Sequence, residues 1–211
     1  MSTATYTPAR EHSRHVRRGR LLEYCTVGWN ILEAIVSIAA GAAAGSVSLI
    51  GFGADSLIET SSGAILLWRL HDGEKGAGRE QLALRLVGVS FLLLAVYVAV
   101  DASRALWLRE PPESSPVGIA VAALSLMVMP VLARAKRRVA VALSSSALAA
   151  DSRQTDLCAY LSAILLVGLV LNAFLGWWWA DPVAGLAMVP IIVREGIQAL
   201  RGRKCSDCGC S

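Results

Sequence analysis

The stretch SVSLIGFGADSLIETSSGAILLWRL, residues Ser46 to Leu70, decides how the chain is read. A helix needs about 20 mostly apolar residues to cross a bilayer, and this stretch is long enough. Asp55 and Glu59 nevertheless stand near its middle. One helical turn apart, the two acids share a helix face. Each costs about 2.5–3.5 kcal/mol on insertion scales if it stays charged at the bilayer centre. A metal cation, protons or a buried base must compensate them.

Working outward, composition supports a membrane setting. The 211 residues are 55% hydrophobic with a mean hydropathy of +0.54, too apolar for an ordinary soluble domain. Windows of spanning length predict six helices, roughly Leu21–Ala44, Ser46–Leu70, Leu82–Leu106, Val117–Leu132, Val141–Leu175 and Asp181–Leu200, in an all-α six-helix transmembrane bundle. The chain divides into a basic tail (residues 1–20), a membrane domain (21–200) and a Cys-rich tail (201–211). Because the polar Met1–Arg20 segment precedes a full-length apolar span, no cleavable signal is expected and the first span is retained.

Basic residues set the orientation. Clusters at Arg10–Arg20, at Arg69, Lys75 and Arg79, at Arg134–Arg138 and at Arg194–Lys204 all fall on one side of a six-span chain. The connections on the other side carry few bases, so both termini are expected in the cytoplasm. The +4 balance is a topology signal facing an anionic leaflet and calls for no nucleic acid. The connecting loops are too short to fold around cores of their own, which places function inside the membrane.

Acids within the spans are the candidate functional groups, since intramembrane carboxylates are functional by default. Span one carries Asn30 and Glu33, then a Gly41-Ala-Ala-Ala-Gly45 segment whose spacing permits close helix approach. Span five carries Asp151, Ser152, Gln154 and Asp156 in its first half. Counted from the span ends, Glu33, Asp55, Glu59 and Asp156 reach one depth, with Ser152 and Gln154 as neutral oxygen donors a turn or less from Asp156. Arg153 is the nearest base and projects from another face, so an internal salt bridge is not the expected compensator. A divalent cation, protons, or both in alternation are.

Other polar and sulfur residues take milder roles. Asp101 and Arg104 are expected to pair at an interface, and Asn172 needs one hydrogen bond. Asp181 before Pro182 is expected to cap its own helix, beside tryptophans that anchor the interface. His12 and His15 are expected to be solvated, and Cys25 and Cys158 to pack. Cys205, Cys208 and Cys210 form a C-x₂-C-x-C array of reduced thiols suited to zinc, copper(I) or cadmium.

With GADSLIE in span two, QTDLCAYLSAILL in span five and a WWWADP border after it, the chain resembles the cation diffusion facilitator family from Leu21 to Leu200. The resemblance implies export of divalent metal, commonly zinc, against protons. It also implies a site built from one pair of residues in span two and one in span five. Asp55, Glu59 and Asp156 match three of those positions; the fourth falls on Ser152, where the family usually has His. An all-oxygen set completed by Gln154 and Glu33 suits harder ions such as manganese, so cobalt, iron, cadmium and manganese stand beside zinc as cargo. The chain as given stops soon after span six, as in a short subgroup similar to a vertebrate vesicular zinc transporter. A homodimer is then expected through membrane helices, and the excess of Arg over Lys points to a bacterial inner membrane. The competing expectation is an intramembrane aspartyl protease, in which Asp55 and Asp156 would share a proton.

Overall fold

A computed structural model describes residues 8–72 and 77–201. Among the described residues the chain forms six α-helices and no strand: α1 (Pro8–Ala44), α2 (Val47–Asp72), α3 (Ala77–Leu108), α4 (Pro116–Ala142), α5 (Ser146–Leu175) and α6 (Ala180–Leu200). Five are long and apolar enough to cross a membrane. The sixth, α2, falls short because Asp55, Glu59, Thr60, Ser61 and Ser62 replace apolar residues through its middle. The C-terminal cysteines and the His12 side chain lie outside what the structure describes.

On α1 the distribution of side chains is inverted relative to a helix of a soluble bundle. Leu21, Tyr24, Ile31, Leu32 and Ile35 of α1 face outward, while Glu23, Thr26, Asn30, Glu33 and Ser37 of the same helix are buried. Steps of three and four residues put those five polar groups on a single stripe. Lipid reverses the usual preference: apolar groups face hydrocarbon, and polar groups turn inward where protein can satisfy them.

Helix α2 packs against α1, α3, α5 and α6, so its acids sit inside the bundle; α4 lies on α5 and α1, and α3 pairs with α6. Small residues set these distances. A Cβ at Gly53 would meet the Ile38 backbone nitrogen at 3.0 Å, and one at Gly88 would meet the Gly196 carbonyl at 2.9 Å. The GxxxG expectation for α1 resolves into two roles. Gly41 is the contact, 2.9 Å from the Ile50 nitrogen on the same test, while Gly45 makes the turn at φ +66°.

Several boundaries differ from the hydropathy windows, those of α1 and α4 the most. Helix α1 starts at Pro8, so the basic segment is helical from there onward. Helix α4 runs to Ala142, straight through the basic run Arg134–Arg138 that separates the fourth and fifth hydropathy windows. A tight turn follows, in which Ser145 caps α5 by accepting from the Leu148 nitrogen. The α4–α5 hairpin therefore lays Lys136 and Arg137 alongside the first turns of α5.

At the far end, Asp181 does not cap its own helix. It accepts from Ser48 Oγ and, at 2.6 Å, from Ser46 Oγ, and so places a carboxylate at the N-terminus of α2. Arg104 pairs with Glu110 at 3.7 Å, not with Asp101, whose carboxylate accepts from Tyr97 at 3.5 Å. Asn172 finds its single partner in the Pro112 carbonyl, 3.1 Å away.

Candidate metal centre

Three helices supply the buried acids. On α2, Phe52, Asp55, Ser56 and Glu59 form the inward face, all buried. On α1, Glu33 is buried directly opposite, and its Oε2 accepts from Ser56 Oγ at 2.7 Å. On α5 the inward stripe is Leu148, Asp151, Thr155, Cys158 and Ser162. Thr155 Oγ1 donates to Glu59 Oε1 at 3.1 Å, and Cys158 Sγ lies 3.8 Å from Glu33 Oε2.

Asp55, Glu59 and Cys158 each present a ligand atom within 4.8 Å of the others, the geometry of a small cation site, and all three are buried. Two carboxylate oxygens nearby, Glu33 Oε1 and Glu59 Oε2, have no protein partner, and neither do Oδ1 and Nδ2 of Asn30. Buried oxygens are ordinarily satisfied. Acceptors left over in a group this acidic are what a cation or a proton would engage.

The span-five residues divide differently from expectation. Asp156 is not among the gathered ligand atoms; it pairs with Arg137, with 31% of its side chain exposed. One step along a helix is a turn of about 100°. With Thr155 aimed at Glu59, its neighbour Asp156 is carried round toward α4. Ser152 is buried, but its hydroxyl donates to the Ala149 carbonyl at 2.9 Å. Gln154 is half-buried, with Nε2 unpartnered. The structure thus brings Asp55, Glu59 and Glu33 together and leaves Asp156, Ser152 and Gln154 outside.

An internal base is present after all. Lys136 is fully buried and donates to Asp151, to Glu23 at 3.1 Å and to Thr155 Oγ1 at 3.4 Å. Charge-assisted contacts of this kind are the strong ones. Thr155 therefore stands between two systems: the ammonium with Glu23 and Asp151 on one side, and Glu59 of the cation-ready group on the other. In sequence, the basic neighbours of Lys136 give it the look of a loop residue. Its signal was the spacing Gly118, Ala122, Ser125, Met129, Ala133, Lys136, one inward stripe of α4. Glu23 carried a similar signal, since it opens the polar stripe that continues through Asn30 and Glu33. Cys158, expected to pack, is found facing carboxylates.

Comparison with known proteins places this arrangement. The profile of the cation efflux transmembrane domain matches residues 26–202. Transmembrane protein 163 of Xenopus laevis is 26% identical over 203 residues, covering 95% of this chain and 72% of the frog protein. The cation-efflux pump FieF of Shewanella oneidensis is 27% identical over 164 residues, 74% of this chain and 54% of the pump. A Synechocystis transporter is 27% identical over 198 residues, 88% of this chain and 63% of its own. The chain thus spans little more than half the length of the Shewanella pump.

Proposed function

The chain belongs to the cation efflux family, whose members are transporters of divalent metal cations and not enzymes, and from that premise we propose a zinc–proton exchange carried out at Asp55 and Glu59. All six helices, α2 included, cross the membrane with both termini in the cytoplasm, as the basic clusters direct. A cation from the cytoplasm displaces protons from the two carboxylates, with Glu33 as the adjoining acid. Reorientation of the bundle exposes the site to the far side, where protons return and the metal leaves. The exchange follows from the chemistry of the ligands, since metal affinity falls as they protonate.

The observation that carries this proposal is the buried group of Asp55, Glu59 and Cys158 beside unpartnered oxygens of Glu33 and Glu59. Asp156, Ser152 and Gln154 enter through a turn of α5, which would break the Arg137 pair; their part comes in the other state of the cycle. An aspartyl protease dyad has no support, because the family transports and Asp156 is tied to Arg137. A homodimer through membrane helices and a bacterial inner membrane remain part of the proposal. The relative in Xenopus shows that proteins of this kind also occur outside bacteria.

The test is flux in proteoliposomes. Zinc should move when a proton gradient is imposed, and Asp55→Asn should abolish the movement. Equal flux in wild type and variant would remove Asp55 from the site and the proposal with it.

A further inference from the structure

We propose that Cys158 supplies a thiolate to the cation held by Asp55 and Glu59, so that the site favours zinc and cadmium over manganese and iron. It rests on Asp55 and Glu59 holding a cation at all, and adds what sets the choice among cations. A buried cysteine in a helix bundle is ordinarily a small apolar filler. Cys158 is 1% exposed, yet its sulfur faces carboxylates: Glu33 Oε2 lies at 3.8 Å, and ligand atoms of Asp55 and Glu59 lie within 4.8 Å. Nothing about packing calls for a thiol against three acids.

The geometry admits coordination after a small contraction. Zinc bonds of about 2.3 Å to sulfur and about 2.0–2.2 Å to carboxylate oxygen imply ligand atoms roughly 3.5 Å apart around a tetrahedron. With its ligand atoms within 4.8 Å of one another, the group needs to close by little more than about an ångström at most. Asp55 and Glu59 are held on one face of α2, and Cys158 shares the α5 stripe with Thr155, which already touches Glu59. As the metal–sulfur bond forms, the Cys158 S–H bond breaks and its proton passes to water shed by the incoming ion, so that two carboxylates plus one thiolate surround a doubly charged ion. Unpartnered Glu33 Oε1 or Glu59 Oε2 offers the fourth position.

The donor set then decides selectivity. Carboxylates alone suit manganese and magnesium, whereas a thiolate draws the preference toward softer ions. Asp55, Glu59, Asp156, Ser152, Gln154 and Glu33, the set suggested by sequence, contains oxygen donors only. Cys158 is thus the residue that reconciles a carboxylate site with zinc.

The full chain is purified in detergent with Cys25, Cys205, Cys208 and Cys210 replaced by serine, leaving Cys158 as the sole sulfur donor apart from methionine. Cadmium alone is added, and both bound metal and ultraviolet absorption are followed. The expected result is one cadmium per chain with a thiolate-to-cadmium charge-transfer band. Cys158→Ser should lose the band, still bind manganese and lose the preference for zinc over manganese. Cadmium bound without the band would overturn the thiolate while leaving the carboxylate site standing. A band that survives Asp55→Asn would place Cys158 in some other site and overturn the proposal equally. Failure of every metal to bind would instead bring down the carboxylate site itself.

Discussion

Two clusters of buried acids lie side by side in this bundle, and they are balanced in opposite ways. In the first, Glu23 and Asp151 surround the Lys136 ammonium, a cation built into the chain. In the second, Glu33 accepts from Ser56 with the Cys158 thiol beside it and Glu59 accepts from Thr155, each keeps one oxygen unpartnered, and Asp55 stands beside them. Thr155 touches both. Ions buried without partners are costly, so the second cluster, which has no lysine paired to it among the described residues, is the one that suits the exchangeable cation proposed above.

Single substitutions should therefore act with opposite signs in the two clusters. Lys136→Met leaves Glu23 and Asp151 facing each other, and stability in detergent should drop by about 3–5 kcal/mol, as for a buried pair with one partner removed. Replacing Glu23, Asp151 and Lys136 together with neutral residues should recover most of that loss, because an apolar substitute for a buried ion network is often neutral. If the triple variant is as unstable as the single one, the network acts through packing and not through charge.

In the second cluster, zinc at about a hundred times its Kd should stabilise wild type by about 2.7 kcal/mol, read as a shift of the unfolding transition. Asp55→Asn should remove that gain and raise the metal-free stability by roughly 1–3 kcal/mol, because it takes one charge out of a buried group of acids. The same variant should lose flux by more than the ~10- to 100-fold that removing a ligand's hydrogen-bond partner costs. A destabilised Asp55→Asn protein would mean that the carboxylate already has a partner, and the contrast between the clusters would fail.

Thr155→Val cuts the bridge between the clusters and should cost about 0.5–1.5 kcal/mol, one hydrogen bond, while shifting zinc affinity because Glu59 loses its orienting hydroxyl. Unaltered zinc affinity would show that the clusters are independent. The smallest change is expected at Arg137→Gln. Its pair with Asp156 is about half exposed on the arginine side, and such pairs contribute about 0–1 kcal/mol. Asp156→Asn should likewise leave stability and zinc binding in place but slow transport, which distinguishes a residue used in the other state from one that holds the ion at rest.

Much of this was legible in residues 1–211 without coordinates. Hydropathy is a property of each residue summed along the chain, so the helical membrane architecture and the anomaly of Asp55 and Glu59 in an apolar run could be read directly. Their separation by one turn placed both acids on a common face, and Glu33 could be matched to them by depth. Three other assignments needed the fold. Lys136 looked like a loop residue among basic neighbours until α4 was seen to continue to Ala142 and carry it inside. Asp156 and Cys158 exchanged places because a rotation of α5 by one residue, about 100°, turns one carboxylate out and a thiol in, and local pattern does not specify that rotation. Sequence by itself determined that carboxylates sit within a membrane bundle. Tertiary structure decided which of them already have a cation, because partnership depends on helix rotation and pairing, quantities set by packing among distant segments and not by any window of the chain.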